Sequence, residues 1–271
     1  MQRQNFHTHT RFSDGHDTPR EMIEAALALG FHSLGFSEHS PSPLASIYAV
    51  SAGVVQHCLT ELRSLAAVYR GEIAIWAGIE LDSETPMEYG DWDFIIASVH
   101  EMVRHAQWGS IDGGEAGQRD LVERLFHGSW TDFGKAYYER LTEHVMRNKA
   151  DIVGHFDLPT KYGIFPEDDP ICRDAAVEAI REIVKHCPLF ELNTGAIARG
   201  LRDVPYPSAF LLSEIKAAGG SVIVNSDCHY KEKLTCWFDE AEDFLRGLGF
   251  VRHDNERLNE KITGVTIWRA E

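Results

Sequence analysis

The feature that most constrains the fold of this chain is a repeated alternation of short apolar segments with longer amphipathic segments. Several of the apolar segments are continuous runs, which are typical of parallel strands buried on both faces. Strands that alternate with helices predict an α/β fold built on a parallel sheet. The predicted strands are Arg3–Phe6, Ser33–Phe36, Ile73–Ile79, Phe94–Val99, Ile152–Val153, Leu189–Leu192 and Ser221–Val224.

The amphipathic segments between and after these strands predict six helices. Thr18 precedes Pro19 in the order expected of an N-cap followed by proline at the first helical position. Gly30 and Gly71 stand where glycine commonly ends a helix. The predicted helices are Pro19–Leu29, Val54–Tyr69, Trp130–Asn148, Ala175–His186, Ser208–Ala217 and Phe238–Leu248.

Seven strands of this kind fit a closed or nearly closed barrel, distorted rather than regularly eight-fold, that forms a single domain over residues 1–271. Two intervals depart from a regular repeat. The interval Glu80–His100 leaves little room for a helix and predicts a short loop. The interval Glu101–Ala150 is too long for one helix and predicts an additional excursion near Gly109–Gly117. The segment 261–268 predicts a short strand or edge segment.

The composition argues against several classes of partner. Lys and Arg number 26 against 42 Asp and Glu, and the resulting net charge of −16 repels phosphate backbones and anionic lipid. We therefore expect binding neither to long nucleic acids nor to membrane surfaces, and no apolar run of about 18 residues predicts a membrane span. Five scattered cysteines without a CxxC motif, and an N-terminus without the layout of a signal peptide, predict a reducing, cytoplasmic location.

Side chains of the types that bind metals follow six of the seven predicted strands where each strand ends. In a barrel the carboxyl ends of the strands meet at one mouth, where active sites are built. Residues i and i+2 of an extended segment face the same way, so His7 and His9 can reach one ion, as can Asp227 and His229. His16 follows the first strand in a loop able to fold over the mouth. The strand-end candidates are His7, His9, His39, Glu80, His100, His155, Asp227 and His229.

With His16, these side chains make nine candidate metal ligands. Imidazoles combined with carboxylates suit Zn, Fe or Mn better than Mg or Ca, which favour all-oxygen shells. Nine ligands are too many for one ion that keeps a position open for substrate, so we expect two or three clustered ions. Any one of these residues alone is as typical of a capping, solvated or hydrogen-bonded side chain, and the prediction depends on their coincidence. The remaining histidines are interpreted as ordinary: His32, His57, His105, His127, His144, His186 and His253.

The ordered set of motifs resembles the polymerase and histidinol phosphatase (PHP) superfamily, and within it the histidinol-phosphatase branch. The similarity runs from residue 7 to residue 229, and the total length also fits. Any one motif is weak, but the ordered set is highly specific. The matching stretches are HTHTRFSDGH (7–16), ALGFHSLGFSEHSP (28–41), GIELD (78–82), DFIIASVH (93–100), DIVGHFDL (151–158), ELNTG (191–195) and NSDCH (225–229).

The resemblance implies a distorted (β/α)7 barrel with a trinuclear metal centre of Mn, Fe or Zn. All nine ligand positions of the family are present in this chain, so nothing indicates an inactive copy. The implied sets are His7, His9, Glu80 and Asp227 for the first ion, Glu80, His100 and His155 for the second, and His16, His39 and His229 for the third.

A centre of this kind suits the hydrolysis of a phosphate ester. Closely spaced divalent ions lower the pKa of a bridging water, supply hydroxide near neutral pH and neutralise the phosphoryl oxygens. We hypothesise that Asp227 or His229 also transfers protons during the reaction. Lys161 and Arg199, in loops that follow strands, are candidate phosphate anchors, although solvated loop charges are an equally good interpretation.

The leading hypothesis is a phosphomonoesterase that acts on a small-molecule phosphate ester. The resemblance implies L-histidinol phosphate, an intermediate of histidine biosynthesis, as that ester. Asp14, Asp17 and Glu115 are candidates for binding its ammonium end. A PHP phosphoesterase acting on nucleotides is a second hypothesis, and a metal-binding module without catalytic activity is a third. The complete ligand set favours an enzyme over the inactive module.

Overall fold

The main sheet of the computed structural model contains the seven predicted strands, all parallel, and two further strands. The structure describes residues 3–44, 47–85 and 90–271. The strands are β1 (Arg3–Asn5), β2 (Phe31–His39), β3 (Ala74–Asp82), β4 (Phe94–Ser98), β5 (Glu101–Arg104), β6 (Gln107–Ser110), β7 (Ile152–Val153), β8 (Leu189–Asn193), β9 (Ser221–Asn225), β10 (Val251–Arg257) and β11 (Thr263–Arg269). The main sheet has the order β1-β2-β3-β4-β7-β8-β9-β11-β10.

All six predicted helices are present, and capping side chains explain where three of them begin. Thr18 and Glu21 form a reciprocal capping box at the start of the first helix. The fifth helix begins at Pro170, earlier than predicted, because the Asp169 carboxylate accepts hydrogen bonds from two of its first backbone amides. The helices are α1 (Pro19–Ala28), α2 (Val55–Val68), α3 (Gly114–Phe126), α4 (Trp130–Asn148), α5 (Pro170–Ile183), α6 (Gly195–Ala198), α7 (Ala209–Ala217) and α8 (Phe238–Gly247), with 3₁₀ helices at Leu158–Tyr162 and Lys231–Lys233.

The two irregular intervals have the character that the sequence predicts. Between β3 and β4 the described residues, 83–85 and 90–93, contain no helix. Between β4 and β7 the excursion consists of the β5–β6 hairpin followed by α3, which packs on β6, and then α4. Helix α3 was not predicted because Gly114 and Gly117 fall in its first turns, where they weaken the helical pattern.

The seven parallel strands curl into an incomplete barrel. Its first strand, β1, is joined to the opposite edge of the sheet in one way near the carboxyl ends of the strands and in another way deeper in the barrel. Near the carboxyl ends, β1 and β9 meet through a parallel bridge between Thr8 and Cys228, with His9 N donating to Cys228 O at 3.0 Å. Deeper in the barrel, β11 lies beside β9, and the Gln4 side chain replaces a strand pairing. Its Nε2 donates to Thr266 O at 2.7 Å, and its Oε1 accepts from Thr266 N at 2.8 Å.

Asn5, next to Gln4, completes this junction, which we call the closure and define as Gln4, Asn5 and Thr266. Asn5 Nδ2 donates to Ser226 Oγ and to Leu234 O, and its Oδ1 accepts from the amides of His7 and Ser226. The strand β11 accounts for the predicted segment 261–268. It is not an edge strand, because β10 pairs along its outer side.

The barrel interior below the mouth is apolar and tightly packed. Phe6, Phe94 and Ile96 belong to one buried cluster that fills it. Gly78 has to be glycine, because a Cβ there would lie 2.2 Å from the Phe94 ring. This packed floor supports the polar side chains at the strand ends. In the part of the chain that the structure describes, no helix has the length and apolar character needed to cross a membrane.

Candidate metal centre

Glu80, near the end of β3, lies at the centre of the mouth and is surrounded by imidazoles from four other strands. Its Oε2 lies 2.8 Å from His39 Nδ1 and 3.3 Å from His7 Nε2. Its Oε1 lies 2.9 Å from His155 Nε2 and 3.5 Å from His100 Nε2. The carboxylate is 1% exposed, so these rings take the place of its solvent. A carboxylate in this position has the reach that a bridging ligand needs.

Asp227, which follows β9, supplies a second carboxylate. Its Oδ1 lies 3.3 Å from His9 Nε2, 3.7 Å from His229 Nδ1 and 3.8 Å from His7 Nε2. Its Oδ2 accepts a hydrogen bond of 2.9 Å from Arg199 Nη2, which leaves Oδ1 facing the histidines. The backbone of Asp227 has φ +48°, a left-handed conformation that is uncommon outside glycine and that clusters at functional sites.

A third group of ligand atoms lies at the rim of the mouth and includes a residue that was not predicted as a ligand. His9, Asp14, His39 and His229 each bring one ligand atom within 4.8 Å of the others. Asp14 Oδ2 lies 3.2 Å from His229 Nε2, and its Oδ1 lies 3.6 Å from His39 Nε2. Asp14 stands in the matched motif HTHTRFSDGH, so the signal for it was present in the sequence.

The ring of His16, a predicted ligand, does not join these groups. The loop folds over the mouth as expected, and His16 N donates to His229 O at 2.8 Å. The exposed His16 ring stacks on Tyr230 with a centroid distance of 4.1 Å. Gly15 packs so closely on the first strand that a Cβ would lie 2.4 Å from His9 O. This close approach turns Asp14, rather than His16, toward the other ligands.

The unpaired atoms of the mouth fit divalent metal ions. Buried nitrogen and oxygen atoms are normally hydrogen-bonded, yet several in the mouth lack a hydrogen-bond partner among the described residues. Two further groups, His7–His9–Glu80 and His39–Glu80–His100, also bring their ligand atoms within 4.8 Å of one another. Convergent imidazole and carboxylate atoms of this kind suit transition-metal ions. The unpaired atoms are His7 Nε2, both ring nitrogens of His9, Asp14 Oδ1, Glu80 Oε2 and His155 Nδ1.

Two buried carboxylates that the sequence reasoning did not single out orient the histidines. Glu191 Oε1 lies 2.6 Å from His7 Nδ1, which turns His7 Nε2 toward the mouth. Asp82 Oδ2 accepts from His100 N at 2.8 Å and lies 3.1 Å from His100 Nδ1. Such partners fix the ring orientation and tautomer of metal-binding histidines. For Glu191, the available signal was a charged residue inside an otherwise apolar strand.

The proton affinities of the mouth reflect its crowded charges. Burial raises the pKa of the Glu80 carboxyl, but the surrounding imidazoles, led by His7, hold it well below its ordinary value. Burial lowers the pKa of His100, but Glu80 and Asp82 outweigh it and raise that pKa to about 10. Burial and the neighbouring rings, His39 first, lower the pKa of His9 to about 3. A metal ion that binds His100 would therefore displace a proton from the ring, whereas the ring of His9 is already neutral at neutral pH.

Lys161 and Arg199 line the same cavity of about 240 Å³ as the candidate ligands Asp227 and His229. Lys161 is 4% exposed and is ion-paired with Asp112, so it is not a solvated loop charge. Burial lowers the pKa of Arg199, but Asp227 outweighs it and raises that pKa above its ordinary value.

Gly195 makes the contact between Arg199 and Asp227 possible. A Cβ at this position would lie 2.8 Å from Arg199 Nη2 and 2.8 Å from Asp227 Oδ2. The glycine of the motif ELNTG therefore leaves the space in which the guanidinium meets the carboxylate. Both cations predicted as anchors thus face the mouth of the barrel.

The acidic residues predicted for an ammonium group have other partners. Asp17 accepts hydrogen bonds from the backbone and side chain of Lys231, and Glu115 pairs with Arg119 one helical turn away. Asp14 faces imidazoles, as described above.

Among the histidines interpreted as ordinary, His144 is fully buried, and its two ring nitrogens lie at hydrogen-bonding distance from Leu81 O and Asn148 Nδ2.

Solved structures confirm the fold. The hisK protein from Listeria monocytogenes superposes with a TM-score of 0.76 at 17% identity, over 88% of this chain and 99% of that chain. Histidinol phosphate phosphatase from Lactococcus lactis superposes with a TM-score of 0.70 at 20% identity, over 92% and 95% respectively. The latter was crystallised in complex with Zn, L-histidinol and phosphate. The likeness confirms the predicted distorted TIM-like barrel.

Sequence comparison also finds similarity to histidinol-phosphatases. A Bacillus subtilis protein named histidinol-phosphatase is 26% identical over 84% of this chain and 94% of its own length. A Deinococcus radiodurans protein named "Probable histidinol-phosphatase" is 26% identical over 90% of this chain and 92% of its own length. The model of the PHP domain matches residues 5–195, more than half of the chain. The chain belongs to the PHP domain family.

Proposed function

We propose that this protein is a metal-dependent phosphoric monoester hydrolase that converts L-histidinol phosphate and water to L-histidinol and phosphate. The observation that supports this most strongly is that candidate metal ligands, among them Asp227 and His229, line one cavity together with the cationic side chains of Lys161 and Arg199. The names of the relatives and the molecules bound by the Lactococcus neighbour support the choice of substrate. The reaction belongs to histidine biosynthesis, and the whole chain serves as one catalytic domain. Five free cysteines suit a cytoplasmic location.

The proposed centre holds three divalent ions, Mn, Fe or Zn. His7, His9, Glu80 and Asp227 form the first set, and Glu80, His100 and His155 form the second. His39 and His229 form the third set with Asp14, and His16 at the rim is the alternative third ligand. Ions bound there would lower the pKa of water so that hydroxide is available near neutral pH, and would neutralise charge on the phosphoryl oxygens. The three groups of convergent ligand atoms support a centre with several ions.

Arg199 and Lys161 bind the phosphoryl group in this proposal. The guanidinium of Arg199 already meets a carboxylate oxygen, so its planar donors are oriented toward the cavity. Lys161 is held by Asp112, whose carboxyl pKa it lowers against the opposing effect of burial. Both cations are thus fixed before substrate binds, which reduces the entropy lost on binding.

Asp227 and His229 move protons in this proposal. Asp227 Oδ1 and His229 Nδ1 lie 3.7 Å apart and both face the cavity. Burial lowers the pKa of His229, but Asp14 and Asp227 outweigh it and raise that pKa above the ordinary value. With Nε2 of His229 on a metal ion, the proton that remains on Nδ1 could pass to the departing alkoxide, while the carboxylate could accept a proton from the attacking water.

The test is steady-state kinetics with a panel of phosphomonoesters, with Mn, Zn and Fe each supplied. L-histidinol phosphate should give a kcat/KM at least about 100-fold above that of p-nitrophenyl phosphate, because an enzyme specific for one ester also binds the leaving group of that ester. Equal values would contradict L-histidinol phosphate as the substrate but would be consistent with a phosphoric monoester hydrolase. A nucleoside monophosphate as the best substrate would favour the nucleotide phosphoesterase, and no turnover of any ester by metal-loaded protein would favour the inactive module.

A further inference from the structure

Beside the cavity of the metal centre lies a second cavity that is large enough for the leaving group of a small ester. Its volume is about 440 Å³, and its walls include Ala198, Tyr230 and the exposed Lys233. Asp112 and Lys161 line both this second cavity and the cavity of about 240 Å³ that contains the candidate metal ligands. These two residues therefore lie where a phosphoryl group and the group bonded to it would meet.

Three carboxylates of the described residues line these two cavities: Asp14, Asp112 and Asp227. Asp14 and Asp227 face imidazoles, and the proposed centre assigns both of them to metal ions. Asp112 belongs to none of the groups of convergent ligand atoms that the described residues form. It is therefore the carboxylate that remains for another ligand.

Contacts on both sides of Asp112 hold it in place. Ile111 N donates to His100 O at 2.7 Å, which ties the loop after β6 to the residue between β4 and β5. Tyr162 Oη lies 2.9 Å from Asp112 O and 2.8 Å from Asp112 Oδ1. A carboxylate that is already held in this way loses little conformational entropy when a ligand binds to it.

The two oxygens of the Asp112 carboxylate differ in their contacts. Oδ1 makes both the contact with Tyr162 and the ion pair with Lys161. Oδ2 accepts no hydrogen bond from the described residues, and it is not one of the buried unpaired atoms. The Asp112 side chain is 33% exposed, so a solute in the mouth can reach Oδ2.

The charge that surrounds Asp112 changes when a phosphate ester binds. In the free protein, Lys161 is the ion-pair partner of Asp112, and Arg199 contributes further positive charge. In the proposed reaction both cations contact the phosphoryl group, whose negative charges neutralise them. A cation beside the phosphoryl group is then attracted to Asp112, with little opposing charge left on the protein.

We propose that Asp112 binds the ammonium group of the substrate through Oδ2 and selects phosphate esters that carry a cation beside the phosphoryl group. In L-histidinol phosphate, two carbon atoms separate the ammonium nitrogen from the ester oxygen, so the two charged groups enter the mouth together. The imidazole end extends into the second cavity. This inference rests on the proposed function, because it names the residue that recognises the leaving group of that reaction.

Kinetics with two esters that differ only in the amine test the proposal on the metal-loaded full chain. The esters are L-histidinol phosphate and 3-(imidazol-4-yl)propyl phosphate. For the parent protein we expect a kcat/KM at least about tenfold higher with the amine, because a site built to bind a donor rejects an analogue that lacks it. In Asp112→Asn this preference should fall below about twofold. Asp120→Asn, the matched control on the exposed side of α3, should keep the parent preference.

A further variant separates recognition of the amine from positioning of Lys161. Lys161→Gln should lower kcat/KM for both esters but keep the preference for the amine, because Tyr162 still holds Asp112. If Asp112 only positions Lys161, Asp112→Asn lowers kcat/KM for both esters equally and the preference survives, which would overturn the inference. Asp112→Ser replaces Asp112→Asn if that variant does not fold.

Binding of the products gives a readout that does not depend on turnover. With saturating inorganic phosphate, isothermal titration should show L-histidinol binding at least about tenfold more tightly than 3-(imidazol-4-yl)propan-1-ol to the parent, and equally to Asp112→Asn. Equal kcat/KM for the two esters in the parent would overturn the inference and leave the phosphatase reaction standing. Turnover of neither ester by the metal-loaded parent would overturn the proposed function and this inference with it.

Discussion

The mouth of the barrel and its closure both hold buried polar side chains, but only those of the closure find complete partners. In the closure, the Gln4 amide exchanges two hydrogen bonds with Thr266, and Asn5 uses both its oxygen and its nitrogen. In the mouth, the imidazoles of His7 and His9 leave nitrogen atoms unpaired. The two regions lie on the same strand, β1 and its extension, only a few residues apart.

This difference separates structural polar groups from groups that bind a ligand. A buried side chain whose hydrogen bonds are complete stabilises the fold, and it has nothing left to offer a ligand. Buried atoms that converge without partners have a cost in the free protein that a bound ion repays. We therefore expect substitutions in the mouth to reduce metal content and activity, and substitutions in the closure to reduce stability.

The largest effect is expected for Glu80→Gln in the mouth. Loss of the charge that lies among imidazoles from four other strands should lower kcat/KM at least about 1000-fold and reduce bound metal. The matched control is Glu38→Gln, since Glu38 is also fully buried but accepts hydrogen bonds from Thr10 and Ser13. Metal analysis with phosphate-release kinetics checks this. A Glu80→Gln protein with full metal content and rate would remove the distinction between the two regions.

The next effect is expected for Asp227→Asn, at saturating metal. A neutral amide cannot accept the proton of the nucleophile, so kcat should fall about 100-fold or more while KM changes little. Metal content is measured in the same preparation, which separates a chemical role from loss of an ion. An unchanged kcat would rule out proton transfer by Asp227.

A third effect, on stability rather than activity, is expected for Gln4→Leu in the closure. The buried amide and carbonyl of Thr266 lose their partners, at a cost of about 1–3 kcal/mol for each unpaired group. Urea unfolding measures this loss, with Gln107→Leu on the exposed side of the β5–β6 hairpin as the control. Activity and metal content of the folded Gln4→Leu protein should match the parent. A large loss of metal would show that the closure also supports the mouth.

The smallest effect is expected at the edge of the mouth, where Asp14 and His16 are the alternative ligands of the third metal ion. Asp14→Asn should weaken the third metal ion at least about tenfold, because Asp14 lies close to His39 and His229. His16→Asn should change that affinity less, because its ring stacks on Tyr230. Competition with a fluorescent chelator measures both. The reverse order would place His16 in the centre and Asp14 outside it.

The sequence predicts the strands and strand-end ligands because these depend on short-range patterns. His7 and His9, for example, share one face of an extended segment wherever the rest of the chain lies. The role of Glu191 was missed because its partner, His7, is 184 positions away, and no local pattern reports that contact. The Gln4–Thr266 pairing spans 262 positions and was missed for the same reason.

Packing at single residues explains the remaining differences. The distinction between Asp14 and His16 depends on how closely Gly15 approaches the His9 carbonyl, a distance that the motif alone does not specify. Strand β10, whose sequence VRHDNER is polar and mostly exposed, forms because β11 offers it an edge. Its own pattern does not predict a buried strand.

One measurement tests the central claim, that the unpaired ligands of the mouth bind the metal ions needed for phosphate-ester hydrolysis. The protein is stripped with a chelator and then titrated with Mn²⁺ or Zn²⁺, and bound metal and phosphate release from L-histidinol phosphate are recorded on the same samples. We predict no turnover without metal, and a rate that rises with bound metal up to about three ions per chain. Full turnover by the metal-free protein, or no turnover by a fully loaded one, would contradict the account.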